Sequence, residues 1–270
     1  MSRQRSVLVD TLLAPGRALE LDAPGWDLLI RQARSAELLP RLALALRRSG
    51  IDHRVPERPA RHLDAAVEAQ RRLRQAVRWE VAQIRQALDT EAIPLVLLKG
   101  AAYEMAGLPP LESRLCHDID VLVPRSRIGD AQLALLMHGW ATMPLDAYDQ
   151  RYYRRWMHEL PPMRHRLRRS VVDVHHNLVP DTARIHPDPR RLLAAAVGCP
   201  GQESIRVLAP ADMILHSAVH LFNDGEFDHG LRDLFDIDDL VRHFLVREAD
   251  WNGLVARARW PVRVQIDAAA

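Results

Sequence analysis

The sequence predicts an α+β protein in which a compact α/β block of about 85 residues sits between two helical regions. Three observations predict it. Apolar residues before residue 91 recur at three- and four-residue steps. Residues 92–180 hold short apolar runs of strand length, bounded by Gly and Pro. Helical spacing returns over 181–270.

In the first region, Ala23-Pro24-Gly25 precedes a periodic stretch from Trp26 to Arg48, which Pro40 divides into two helices and Gly50 closes. A Pro-containing break at 55–59 leads into a long amphipathic helix over Ala60 to Leu88, with Leu63, Val67, Leu73, Val77, Val81, Ile84 and Leu88 on its apolar side. The arginines between them read as a solvated face, because glutamates and aspartates are mixed among them.

In the block, Pro94 to Leu98 reads as a buried strand, and Lys99 opens a short helix that ends at Gly107. Asp118 to Val123 is a strand, Ile128 to His138 a helix, and residues 141–158 are irregular or helical. Pro162–Arg168 and Ser170–His176 are two strands joined by a tight Arg-rich turn. Beyond Asn177, the spacing predicts a helix over Pro187 to Val197 with Gly198 past its end, then a short strand at Ser204 to Leu208. Helices follow from Pro210, from Leu231 to Phe244 and from Trp251 to Ala256.

Bulk composition narrows the function classes. The chain has 270 residues, is 48% hydrophobic and only 5% aromatic, so its core is built of Leu, Val, Ala and Ile. No apolar run approaches the roughly 20 residues of a membrane span. The N-terminus makes a poor signal peptide, and Cys116 and Cys199 form neither a disulfide framework nor a zinc pattern. The expectation is a cytoplasmic protein. A net charge of +2 is too balanced to indicate nucleic-acid binding. Of 37 Lys plus Arg residues one is a lysine, Lys99, which leaves 36 arginines. Where coding bias replaces lysine by arginine wherever either serves, the survivor is a candidate for a place where a compact point charge is needed and a planar fork does not serve, the alternative being survival by chance.

Chemistry concentrates around that lysine. Asp118 and Asp120 lie at i and i+2 of a strand and so point to one face. Two adjacent carboxylates repel, and a divalent cation with a taste for oxygen ligands, Mg2+ or Mn2+, resolves the repulsion. Leu97-Leu98-Lys99-Gly100-Ala101 is a strand passing through glycine into a helix N-terminus, where backbone N–H groups converge as a phosphate requires. In Val171 to His176, Asp173 and His175 share a face. A charge between valines in a central strand needs a partner, either a metal or an arginine such as Arg114 or Arg166. A third carboxylate near an aspartate pair is what two-metal nucleotidyl transfer uses.

Other residues carry weaker signals. Arg114 can neutralise triphosphate oxygens or pair with Asp118 or Asp120. His158-Glu159 reads first as a loop hydrogen bond and second as an acid or base near the site. His216 and His220, four apart on a helix, read as core or interface histidines. Residues 224–229 look like an acidic loop without the ligand spacing of a calcium loop. Arg232 and Asp233 read as part of a salt-bridge network along their helix with Asp236.

Together, Lys99-Gly100, Arg114, Asp118-Ile119-Asp120-Val121-Leu122-Val123 and Val172-Asp173-Val174-His175 resemble the uncharacterised bacterial nucleotidyltransferase family of the polymerase-β superfamily. The resemblance extends to Asp212-Met213-Ile214-Leu215-His216, His220 and Leu231-Arg232-Asp233-Leu234. It implies a small mixed sheet as a nucleotidyltransferase core over 92–180, flanked by helical regions at 1–91 and 181–270. It also implies a metal triad of Asp118, Asp120 and Asp173. Nucleotide contacts would come from Lys99, Gly100, Ala101, Arg114, His175, His220 and Arg232. The implied reaction moves a nucleoside monophosphate from an NTP, ATP being favoured, to a small-molecule, protein or RNA acceptor. One departure matters. The wider superfamily places Gly-Ser or Gly-Gly at the turn, and Gly100-Ala101 lacks the serine hydroxyl. A catalytically inactive nucleotide- or partner-binding module on the same fold is the competing expectation.

Overall fold

The structure, a computed structural model, describes residues 6–143, 157–223 and 229–259. The acidic loop at 224–228, most of the 141–158 stretch and the C-terminal tail lie outside the described residues.

The N-terminal region holds helices α1 (Val7–Leu13), α2 (Ala23–Ser35), α3 (Leu39–Arg48) and α4 (Glu57–Asp89). Local chemistry sets the boundaries. Asp22 caps α2 by accepting a hydrogen bond from the Gly25 amide at 2.9 Å, and Pro24 occupies the first turn, where its missing N–H is harmless. Pro40 does the same for α3. It therefore starts the second helix rather than kinking one long helix. Helix α4 begins three residues before the expected Ala60, because Pro59 is tolerated inside a first turn.

Next come β1 (Val96–Leu97), α5 (Lys99–Ala106), β2 (Asp118–Leu122), α6 (Ile128–Met137), β3 (Trp140–Thr142), β4 (Met163–His165) and β5 (Val171–His175). The chain ends with α7 (Pro189–Ala195), β6 (Val197–Cys199), β7 (Gln202–Val207), α8 (Pro210–Asn223), α9 (Gly230–Phe244) and α10 (Glu248–Arg257). The seven strands form one mixed sheet in the order β3-β4-β5-β2-β1-β7-β6. β2 runs parallel to β5 and β1 parallel to β7, while the other pairs are antiparallel.

The expected helix over Pro187 to Val197 is shorter, and its last residue begins a hairpin, β6–β7. Gly198 was expected just past a helix end. It is instead a strand residue, where an added Cβ would sit 3.1 Å from the Cα and the carbonyl oxygen of Glu203. Two side-by-side backbones demand the glycine, and Pro200-Gly201 turns the chain.

Burial divides the protein into two cores. Leu8, Trp26, Leu29, Leu42, Leu46 and Leu63 form the first, from α1, α2, α3 and the start of α4. The second gathers the sheet, α5, α6 and the far half of α4, from Val77 to Leu88. Helix α4 contributes to both cores, Leu63 to the first and Val77 to Leu88 to the second. Buried charge ties two of the C-terminal helices together. Asp212 on α8 is fully buried and takes two hydrogen bonds from Arg257 of α10, at 2.5 and 2.7 Å.

Candidate active site

The site forms where β2 and β5 lie side by side. Their parallel register sets Asp118 opposite Val171 and Asp120 opposite Asp173. Alternation then puts Asp118, Asp120, Asp173 and His175 on one face. Ile119, Val121 and Val174 occupy the other face and are buried in the second core. Asp118 is exposed at the start of β2, Asp120 is buried and Asp173 is half-buried.

Asp120 carries the most contacts. Its Oδ1 accepts from Lys99 Nζ at 3.2 Å and lies 3.0 Å from His175 Nε2. Burial alone would raise its pKa. The Lys99 charge and the His175 hydrogen bond outweigh burial and hold the carboxyl well below the ordinary range. The same pairing keeps Lys99 charged despite its burial. Asp173 behaves in the opposite way. Burial first, and the Asp120 charge second, push it up to about 7, and its Oδ1 is buried without a hydrogen-bond partner.

Lys99 reaches Asp120 because the turn from β1 into α5 is unusual. Its φ is +44°, in the left-handed region, at the first residue of a helix. Leu98 at the N-cap supplies no side-chain oxygen, so the helix entrance is not capped from within. Gly100 was expected to let a phosphate approach. A Cβ there would meet Cys116 Sγ at 2.8 Å and Arg114 Nε at 3.2 Å, so the space is taken by the chain's own return toward β2. Ala101 is buried in the core.

Arg114 pairs with neither Asp118 nor Asp120. It reaches away from them, to Asp233 at 3.2 Å and to Asp236, both on α9. Burial raises Asp236 to about 6, while Arg232 and Arg114 hold Asp233 below its ordinary value against the effect of burial. Arg232 pairs with Glu37, between α2 and α3, and with Asp233. The network expected along one helix therefore ties α9 to the block and to the N-terminal region.

Lys99, Tyr103, Arg114, Ser217, His220 and Asp236 line a narrow cleft of about 20 Å³. That is room for a water molecule and not for a nucleotide. Lys99 and His220 thus share a cleft, and Arg232 is not among its lining residues. His216 is buried, as expected.

Sequence reasoning undervalued His158 and Glu159. The Glu159 backbone bridges to His175, and Glu159 Oε2 lies 3.0 Å from His175 Nδ1. Among the described residues, His158, Glu159 and His175 are the group whose ligand atoms all lie within 4.8 Å of one another. The signal in the sequence was adjacent His and Glu just upstream of the β4–β5 hairpin, which folds them back against the end of β5.

A family model described as uncharacterised nucleotidyltransferase matches residues 22–262. The chain belongs to that family. As a nucleotidyltransferase it carries its acidic strand pair at the centre of a mixed sheet, and no helix among the described residues is long and apolar enough to cross a membrane. The crystal structure of ANT(2'')-Ia in complex with adenylyl-2''-tobramycin is similar to this nucleotidyltransferase at a TM-score of 0.47 and 14% identity, over 68% of this chain and 97% of that one. An antigenic nucleotidyltransferase-like protein from Paracoccidioides brasiliensis is similar at a TM-score of 0.35 and 15% identity, over 67% and 86%. No curated protein matches the chain.

Proposed function

We propose that this nucleotidyltransferase moves a nucleoside monophosphate from an NTP, ATP first among them, to an acceptor nucleophile, with Asp118, Asp120 and Asp173 holding a divalent cation. The observation that carries the reading is the β2–β5 register, which sets Asp120 beside Asp173 with Asp118 on the same face. The buried, unpartnered Oδ1 of Asp173 fits a cation, and an all-carboxylate set fits Mg2+ or Mn2+. When bound, such a cation supplies charge neutralisation at the transferred phosphoryl group.

The chain's own residues do the rest. Lys99 sits at the entrance of α5 with its charge within the carboxylate cluster, and triphosphate oxygens compete with Asp120 for it. The first amides of α5 lack carbonyl partners within the helix, which leaves them open to an anion. Asp173 stands where it can accept the proton of the attacking group. His175 orients Asp120. An NTP donor is in keeping with a cytoplasmic protein.

One observation favours a second reading. Asp120 Oδ1 is already engaged by both Lys99 and His175, as in a binding module that has given up transfer. Incubation with each labelled NTP, Mg2+ and a cell extract separates the two. Label transfer that is lost in Asp118→Asn and Asp173→Asn supports the enzyme. NTP binding without transfer, unchanged in those variants, supports the module.

A further inference from the structure

We infer that His158, Glu159 and His175 form a separate transition-metal site of the Zn2+ type, beside the carboxylates and distinct from them in chemistry. Their ligand atoms all lie within 4.8 Å of one another, close enough for one ion to touch all three. The donor set is two imidazole nitrogens and one carboxylate oxygen. Such a set suits Zn2+, Fe2+ or Ni2+, whereas Mg2+ takes oxygen ligands. Three protein ligands leave a coordination position open.

The backbone prepares the site. His158 O accepts from the His176 amide at 2.8 Å, and the Leu160 amide donates to Val174 O at 2.8 Å, with the Glu159–His175 bridge between them. The 158–160 segment is thus fastened to the end of β5 before any ion arrives. The two imidazole rings lie with centroids 5.4 Å apart.

His175 supplies the independent observation. Its side chain is 5% exposed and its Nε2 bonds Asp120 Oδ1. With the Nε2–H given to Asp120, Nδ1 presents a lone pair. That lone pair faces Glu159 Oε2 at 3.0 Å, and Nδ1 is buried without a hydrogen-bond partner. A second ring proton or a metal ion between these two atoms satisfies both, and titration with Co2+ separates the two. A histidine that binds metal through one nitrogen while donating its other N–H to a carboxylate is the usual arrangement around biological zinc. Here the carboxylate is Asp120, so the ion would fix the orientation of a triad member without touching it.

Chelator-stripped full-length protein, titrated with Co2+ and then competed with Zn2+, tests the site without any activity measurement. The expected result is stoichiometric binding with visible d–d bands of imidazole coordination, displaced by Zn2+. His158→Gln and Glu159→Gln, confirmed as folded by circular dichroism, weaken Zn2+ binding by at least ~10-fold. Asp118→Asn leaves it unchanged. Absence of the Co2+ bands in the unaltered protein overturns the site whatever the variants do. Zn2+ affinity that falls in Asp118→Asn but not in His158→Gln or Glu159→Gln overturns it as well. Failure of the carboxylate triad reads out differently, as NTP and Mg2+ binding insensitive to Asp118→Asn.

Discussion

Lys99 Nζ lies 3.2 Å from Asp120 Oδ1, and the backbone that delivers it is left-handed at Lys99. A non-glycine residue at φ +44° carries strain of ~1–2 kcal/mol. The ion pair and the packing of α5 hold it there. Lys99→Ala and Lys99→Gly both remove the charge, but only glycine relaxes the backbone. Lys99→Gly is expected to be the more stable of the two by roughly 1 kcal/mol in urea unfolding. Equal stability, or a more stable alanine variant, removes the strain argument.

Gly100 tests whether the turn is shaped by the protein's own packing. Gly100→Ala drives a methyl against Cys116 Sγ and is expected to destabilise by ~1–3 kcal/mol. Cys116→Ala in the same chain clears the sulfur and recovers part of the loss. No recovery would place the pressure on Arg114 Nε instead.

Arg114 anchors the block to α9. Its side chain is 13% exposed and that of Asp236 4%, so removing the guanidinium strands a buried acid. Arg114→Met should lower stability by roughly 3 kcal/mol. Arg114→Met with Asp236→Leu should restore most of it, because neither charge is then left alone. An additive double variant, as destabilised as the sum of the singles, rules out the coupling.

His216 sets an acid limit. It is buried on α8, and burial, aided by the Lys99 charge, holds its pKa well below the ordinary 6.5. The unfolded chain takes up a proton below pH 6.5 while the folded chain does not. Its contribution to stability is therefore complete above that pH and is lost as the pH falls toward the depressed folded value. Urea midpoints of the wild type should decline from about pH 7.5 to about pH 5, and more steeply than those of His216→Asn. Parallel slopes would assign the decline to other groups.

Much of this was legible beforehand, for reasons visible in single residues. Val121, Leu122 and Val123 fixed β2 as a core strand, so the face of Asp118 and Asp120 followed from alternation alone. The partner of Arg114 did not follow. Asp233 and Asp236 lie more than a hundred residues away, and nothing local distinguishes them from the nearer Asp118. The β6–β7 hairpin was hidden because Gly198 signals equally a helix end and a close strand pair. His158 and Glu159 looked like loop residues because their meaning depends on a hairpin folding back along β5. Local signals of period and capping survived. Pairings across the sequence, and between helices, needed the fold.

Lys99 is the chain's one lysine, and its amine sits beside the carboxylates. An amine-selective reagent therefore has a single side-chain target in this protein. Mass spectrometry of the labelled peptide becomes an occupancy gauge built into the sequence, in which each nucleotide, metal or acceptor that shields Lys99 or draws it from Asp120 changes the rate at which one residue is modified. Candidate ligands can be ranked in that way before any reaction has been observed.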